Sequence, residues 1–196
     1  LLLGIDLGTS GTKTVLFDSN GRRLASHTVE YPLYQPKNGW AEQDPEDWWR
    51  AVQETVRTVL AKSGAKSEDI RSIGIAGQMH GLVMLDSQGQ VLRKAILWCD
   101  GRTQAQCAEI TQTVGREKLL AITANPALTG FTAGKILWVR EHEPENYEKC
   151  RHILLPKDYI RYKLTGEFAT EVSDASGMNL LDVPQRQWSG EILSLL

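Results

Sequence analysis

The stretch that most restricts the fold is the first thirty residues. An apolar run over residues 1–6 ends on the carboxylate of Asp6, and Leu7-Gly8-Thr9-Ser10-Gly11 leads into a second run, residues 12–18, rich in β-branched and apolar types. Gly8 and Gly11 break that first connection. A third run over residues 22–31 follows Asn20-Gly21, the strongest short hairpin signal because both residues tolerate positive φ. Three strands in a meander are therefore predicted before any helix.

A helix starts at Asp44-Pro45, with Asp44 as N-cap, Pro45 in the first helical position and Glu46 and Asp47 in the first turn. Trp49, Val52, Val56, Val59 and Leu60 recur at steps of three and four, so one face is buried, and Ser63-Gly64 closes it. Further strands are predicted over residues 70–76, 82–85, 91–98 and 152–155. Helices are predicted over 103–114, 132–142, 144–149 and 157–164. A meander, a helix, then strands mixed with helices is an α/β pattern around one mixed sheet flanked by helices. No repeat or linker divides the 196 residues, and one domain is expected over 1–196.

Composition narrows the function by exclusion. With 41% hydrophobic and 23% charged residues and a formal net charge of −2, the chain has no electrostatic signature for nucleic acid or a membrane surface. No apolar run approaches the ~18–20 residues that span a bilayer. Leu1-Leu2-Leu3 runs directly into Gly4-Ile5-Asp6 and reads as a strand, not a signal peptide. Three separated cysteines without a CxxC pair favour a reduced, cytoplasmic setting over a disulfide framework. The four histidines show no metal-ligand spacing, which sets zinc chemistry aside.

The chemistry is carried first by Gly4-Ile5-Asp6-Leu7-Gly8-Thr9-Ser10-Gly11-Thr12-Lys13. Glycines let backbone N–H groups face phosphate oxygens, and the Thr9 and Ser10 hydroxyls add donors. A carboxylate beside a triphosphate implies an intervening divalent cation, so Asp6 points to Mg²⁺. A plain hairpin turn is the competing reading. The segment lacks GxxxxGK[ST] and is not a Walker A loop.

Ile5-Asp6-Leu7-Gly8-Thr9-Ser10 resembles the first phosphate loop of the actin-like ATPases. Gly130-Phe131-Thr132-Ala133-Gly134-Lys135-Ile136-Leu137-Trp138-Val139-Arg140-Glu141-His142 matches a signature of the FGGY carbohydrate kinases. Trp40-Ala41-Glu42-Gln43-Asp44-Pro45, Ala76-Gly77-Gln78-Met79-His80-Gly81, Leu97-Trp98, Asp100-Gly101-Arg102 and Leu155-Pro156-Lys157-Asp158-Tyr159 resemble the bacterial xylulokinase branch of that family. The resemblance covers essentially the whole chain. It implies an actin-like (ribonuclease H-like) α/β domain, the sugar-binding first half of a two-domain kinase that takes ATP, Mg²⁺ and D-xylulose. A homodimer is left open.

Carried over residue by residue, the resemblance makes Asp6 the Mg²⁺ carboxylate and Gly8, Thr9, Ser10 and Gly11 the loop around the β- and γ-phosphates. Lys13 stands where relatives place a cation, unless it is a solvated strand lysine. Gln78, Met79 and His80 fall against the sugar. Imidazole can donate to or accept from a hydroxyl, and Met gives an adaptable apolar wall. Trp98 is either the sugar's aromatic wall or a core residue. Asp100 and Arg102 hold sugar hydroxyls or each other. Trp40, Trp48, Trp49, Trp138 and Trp188 read as packing, Lys135 has no role that its position discloses, and Ser173-Asp174-Ala175-Ser176-Gly177 reads as a capping turn.

The family's catalytic base, an aspartate of the second half, is expected beyond residue 196, so the chain alone is expected to be inactive. Two alternatives stay open: a kinase for ribulose, gluconate or glycerol, or a non-catalytic sugar- or nucleotide-binding module. Glycerol kinases carry Arg-Glu where Met79-His80 stands, which argues against that member.

Overall fold

The computed structural model describes residues 1–196. Its strands are β1 (Leu2–Leu7), β2 (Gly11–Phe17), β3 (Arg23–Glu30), β4 (Glu42–Gln43), β5 (Ser72–Gly77), β6 (Val83–Leu85), β7 (Ala95–Ile96), β8 (His152–Leu154), β9 (Leu181–Asp182) and β10 (Gln187–Trp188). Its α-helices are α1 (Pro45–Ser63), α2 (Gln104–Val114), α3 (Arg116–Thr123), α4 (Thr132–His142), α5 (Pro144–Lys149), α6 (Pro156–Thr165), α7 (Val172–Ala175) and α8 (Gly190–Leu195). None of them is long and apolar enough to cross a membrane.

The central sheet has the order β3-β2-β1-β5. β1–β2 and β2–β3 are antiparallel and β1–β5 is parallel, so the sheet is mixed as expected. Alternation sets its two faces. Leu3, Ile5 and Leu7 of β1 and Thr12, Thr14 and Leu16 of β2 point to one side, where Trp48, Val52 and Val59 of α1 and Tyr159 and Ile160 of α6 complete the core. The Thr14 hydroxyl, buried opposite Thr55 of α1, meets its hydroxyl at 2.7 Å, which satisfies both. Asp6 and Lys13 fall on the opposite, open face, directly across from each other in the β1–β2 register.

α1 forms for the reasons its sequence gives. The Asp44 carboxylate accepts from the Glu46 N–H, Pro45 opens the first turn, and Gly64 closes the helix at φ +71°. Two expectations change. The run over 91–98 contributes only the two residues of β7 and an isolated bridge at Val91, because Arg93 turns aside to pair with Glu42 and Glu143. β6, β7 and β8 accordingly pair outside the central sheet, as β6–β8 and β4–β7, and not within one larger sheet. Helix α3 was not expected; only Leu119 and Thr123 of it are buried, too few to write a helical period.

The parallel β1–β5 pair matters most for function. Leu7 stands beside Gly77 and the Gln78 N–H donates to the Leu7 carbonyl at 2.7 Å. The turns that leave β1 and β5 therefore emerge at the same end of the sheet, where open α/β sheets place their ligands.

Candidate active site

The first turn is short and held by its own backbone. Gly8 N–H donates to Gly11 O at 3.0 Å. Gly11 cannot carry a side chain, since a Cβ there would lie 2.7 Å from the Val29 carbonyl oxygen of β3. The Tyr31 hydroxyl at the end of β3 donates to the Gly8 carbonyl, and burial pushes its pKa up to about 12. Ser10, Asp6 and Lys13 are exposed, while Thr9 is half-buried. Thr9 Oγ1 accepts the indole N–H of Trp98 at 3.0 Å. That bond leaves the Thr9 hydroxyl proton free to be donated outward. Trp98 is 39% exposed, so it is not a core residue; it reaches the Thr9 turn with its polar edge.

The second turn is held from several distant segments. His80 has a left-handed backbone, φ +60°, unusual for a residue with a side chain and worth about 1–3 kcal/mol of strain. Its carbonyl accepts from Lys135 Nζ at 2.8 Å and from Thr132 Oγ1 at 3.1 Å, both on α4. Lys135, fully buried, also donates to the Gly130 carbonyl at 2.7 Å. Burial pushes its pKa down to about 7, against the pull of Asp100 and Cys99. Gly130 itself is packed so that a Cβ would lie 2.9 Å from the Trp98 carbonyl oxygen.

The His80 imidazole lies on the backbone of Gly177, where a Cβ would be 1.9 Å from Nε2, and edge-on to Phe131 with centroids 4.7 Å apart. Burial lowers its pKa, with Lys135 adding to the effect and Asp174 opposing it. A cleft of about 450 Å³ opens beside it, lined by Gly77, Met79, His80, Lys157, Glu171 and Asp174. Met79 is 47% exposed there. Lys157 bridges Asp158 at 2.8 Å and Asp174 at 3.0 Å. Glu171 caps this segment by accepting from the Ser173 and Asp174 N–H groups, and Gly177 seats the imidazole. Gln78 is buried, donates to Gln43 Oε1 at 2.8 Å, and leaves its own Oε1 without a partner in the chain. An unpaired buried acceptor costs about 1–3 kcal/mol.

Asp100 is placed differently from its expected role as a sugar ligand. It is 1% exposed, one oxygen accepts from Ala41 N–H at 2.6 Å and Arg102 Nη2 at 2.7 Å, and the other accepts from Arg102 N–H and Nε, both at 2.9 Å. Arg102 is stacked 3.7 Å over Trp40 and also meets Glu42. The ion-pair reading is the one the geometry displays, because a carboxylate this fully engaged has nothing left for a sugar.

Sequence reasoning missed Gln43, Tyr31 and Gly177. Gln43 and Gly177 lie in segments singled out by resemblance, but neither side-chain type signals chemistry by itself. Tyr31 had no local signal at all.

The chain matches the FGGY family of carbohydrate kinases, N-terminal domain, over residues 1–196. It belongs to that family. It is 49% identical to the xylulose kinase of Bacillus subtilis across 191 residues, which is 97% of this chain and 38% of that protein. A "xyloylose kinase" from Brucella ovis superposes with a TM-score of 0.93 at 40% identity, covering 98% of this chain and 40% of that one. A gluconate kinase from Lactobacillus acidophilus follows at 0.91 and 31%, covering 98% and 39%. The chain therefore spans about two fifths of the length of these relatives.

Proposed function

We propose that this chain is the amino-terminal, sugar-binding domain of an ATP-dependent kinase that converts D-xylulose to D-xylulose 5-phosphate. The observation that carries the substrate is the 49% identity to a xylulose kinase over nearly the whole chain. In this reading residues 8–11 face the β- and γ-phosphates through backbone N–H groups, with Thr9 and Ser10 donating their hydroxyls. Lys13, exposed on the same face, offsets phosphate charge. A single exposed carboxylate at the strand end suits Mg²⁺, which takes one or two protein oxygens and otherwise phosphate and water, so Asp6 would hold it and the cation would spread the charge of the transferring group.

The sugar lies against Met79 and His80, its hydroxyls exchanging hydrogen bonds with the imidazole, while Gln78 supports the turn from behind through Gln43. Proton removal from the attacking hydroxyl needs a base. Asp100 and Asp158 are tied into ion pairs with Arg102 and Lys157, which supports a base supplied from outside residues 1–196. Residues 1–196 expressed alone are accordingly expected to show no sugar-dependent ATP turnover in a coupled assay, and a rate near the ~1–100 s⁻¹ of kinases would refute that.

The test of the substrate is a panel on the full-length protein with ATP and Mg²⁺: D-xylulose, D-ribulose, L-ribulose, gluconate and glycerol. D-xylulose is expected to give the highest kcat/KM. Preference for gluconate would replace xylulose, and no turnover with any sugar would leave the binding-module reading.

A further inference from the structure

The two turns leave neighbouring strands, but the strand ladder ends at Leu7 and Gly77. Beyond it, one buried side chain spans the gap. Gln43, 1% exposed, sits on the two-residue strand β4, held to Ala95 of β7 on one side and to the capped start of α1 on the other. Its amide orientation is fixed by chemistry. The Trp48 indole nitrogen can only donate, so the atom 3.0 Å from it is the amide oxygen. The same oxygen accepts from Gln78 Nε2 at 2.8 Å. The amide nitrogen is thereby directed at the Thr9 carbonyl, 2.7 Å away.

We propose that Gln43 is a positioning residue that locks the Thr9 turn to the Gln78 turn, so that the phosphate donor site and the sugar acceptor site are set as one rigid unit. The inference rests on the kinase reading above. In-line transfer between two bound substrates requires both turns in register, and small misplacements of reacting groups are costly. Gln43 touches neither substrate; it fixes one atom in each turn, the Thr9 carbonyl and the Gln78 amide. Trp48 serves the lock by choosing which end of the amide faces which turn.

Two variants of the full-length protein separate the links. Gln43→Glu keeps an oxygen for Trp48 and Gln78 but sets a second oxygen against the Thr9 carbonyl. Assayed at about pH 8, where the carboxylate is ionised, it is expected to bind sugar in calorimetry within about twofold of wild type. Its kcat/KM for ATP is expected to fall at least about tenfold, ~1.4 kcal/mol of transition-state stabilisation. Relative to wild type, that loss should shrink as the pH drops and the new carboxyl, protonated, donates to Thr9 again. Gln43→Met breaks every link and should weaken sugar binding as well as ATP use.

Hydrogen exchange of peptides over residues 8–11 and 78–81 reads the lock without turnover: Gln43→Met frees both, Gln43→Glu only the first. If Gln43→Met does not fold, Gln43→Glu decides alone. Equal loss of sugar and ATP function in Gln43→Glu, or melting-temperature changes with kinetics and exchange unmoved, would overturn the proposal. A wild-type protein inactive on every sugar defeats the kinase reading instead, and exchange then judges the lock.

Discussion

The turn after β1 and the turn after β5 stand side by side but differ in how much of each its own backbone closes. Residues 8–11 are closed by their own backbone, Gly8 to Gly11, with Tyr31, Gln43 and Trp98 added at Gly8 and Thr9, and their charged neighbours Asp6 and Lys13 are exposed. Residues 78–81 depend on α4 for the His80 carbonyl, on Gly177 for room for the imidazole, and on Gln43 for the Gln78 side chain. A local turn presents its chemistry to solvent at little cost to the fold. A turn assembled from distant segments fixes a strained backbone, and is sensitive to changes that never touch a ligand. The contrast can be tested by how function and stability separate in each.

Asp6→Ala should have the largest effect on activity and almost none on stability. Asp6 is exposed, and its removal deletes no buried contact. ATP-dependent turnover of the full-length protein should fall at least about a hundredfold, the scale for loss of a group that stabilises developing charge. Circular dichroism and the melting temperature should stay at wild-type values. A variant that keeps turnover would remove Asp6 from the phosphate site.

Gly177→Ala tests the other kind of construction. The new Cβ cannot coexist with the imidazole at 1.9 Å, so the His80 ring must leave its seat. Sugar KM should rise at least about tenfold while ATP KM stays within about twofold. His80→Ala should give a similar loss, and the double variant should cost no more than either alone, since both remove one interaction. Additive losses would separate Gly177 from His80.

The same contrast explains what was legible in the sequence. The meander, the Asn20-Gly21 hairpin, the Asp44 cap and the turn over residues 8–11 are contiguous signals, and each lies where it was expected. Gln43 and Gly177 act only across segments that the fold brings together, so no window of sequence contains their partners. Asp100 shows the converse. Its neighbour Arg102 was visible, but whether the pair faced a sugar or each other depended on Trp40 and Ala41 closing over it. The run over 91–98 was legible as apolar, but not as interrupted, because the partners of Arg93 are Glu42 and Glu143.

Lys135→Met should act on stability first. It leaves the Gly130 carbonyl without its donor and the His80 carbonyl with Thr132 alone. A loss of about 1–3 kcal/mol in urea unfolding is expected. Part of this is offset because a buried ammonium or amine is no longer desolvated. Sugar KM should rise more than ATP KM, because the left-handed turn at His80 loses a tether. Lys135→Arg should not rescue it, since a guanidinium is larger and always charged.

The smallest effect, and the one most specific to the second turn, is its pH dependence. Burial lowers the His80 pKa below its ordinary 6.5, so the imidazole is neutral at and above that pH. A neutral ring both donates and accepts, whereas the protonated ring only donates. Sugar affinity, measured by calorimetry without nucleotide, should therefore fall as the pH drops below 6.5. The sign for folding agrees. His80 takes up a proton less readily in the folded chain than in the unfolded one, so stability also declines on acidification through that range. Gly177→Ala displaces the ring from its buried seat and should move this loss of affinity to higher pH, toward an ordinary histidine. A wild-type affinity that stays unchanged on acidification below pH 6.5 would mean that another group, not His80, governs sugar binding.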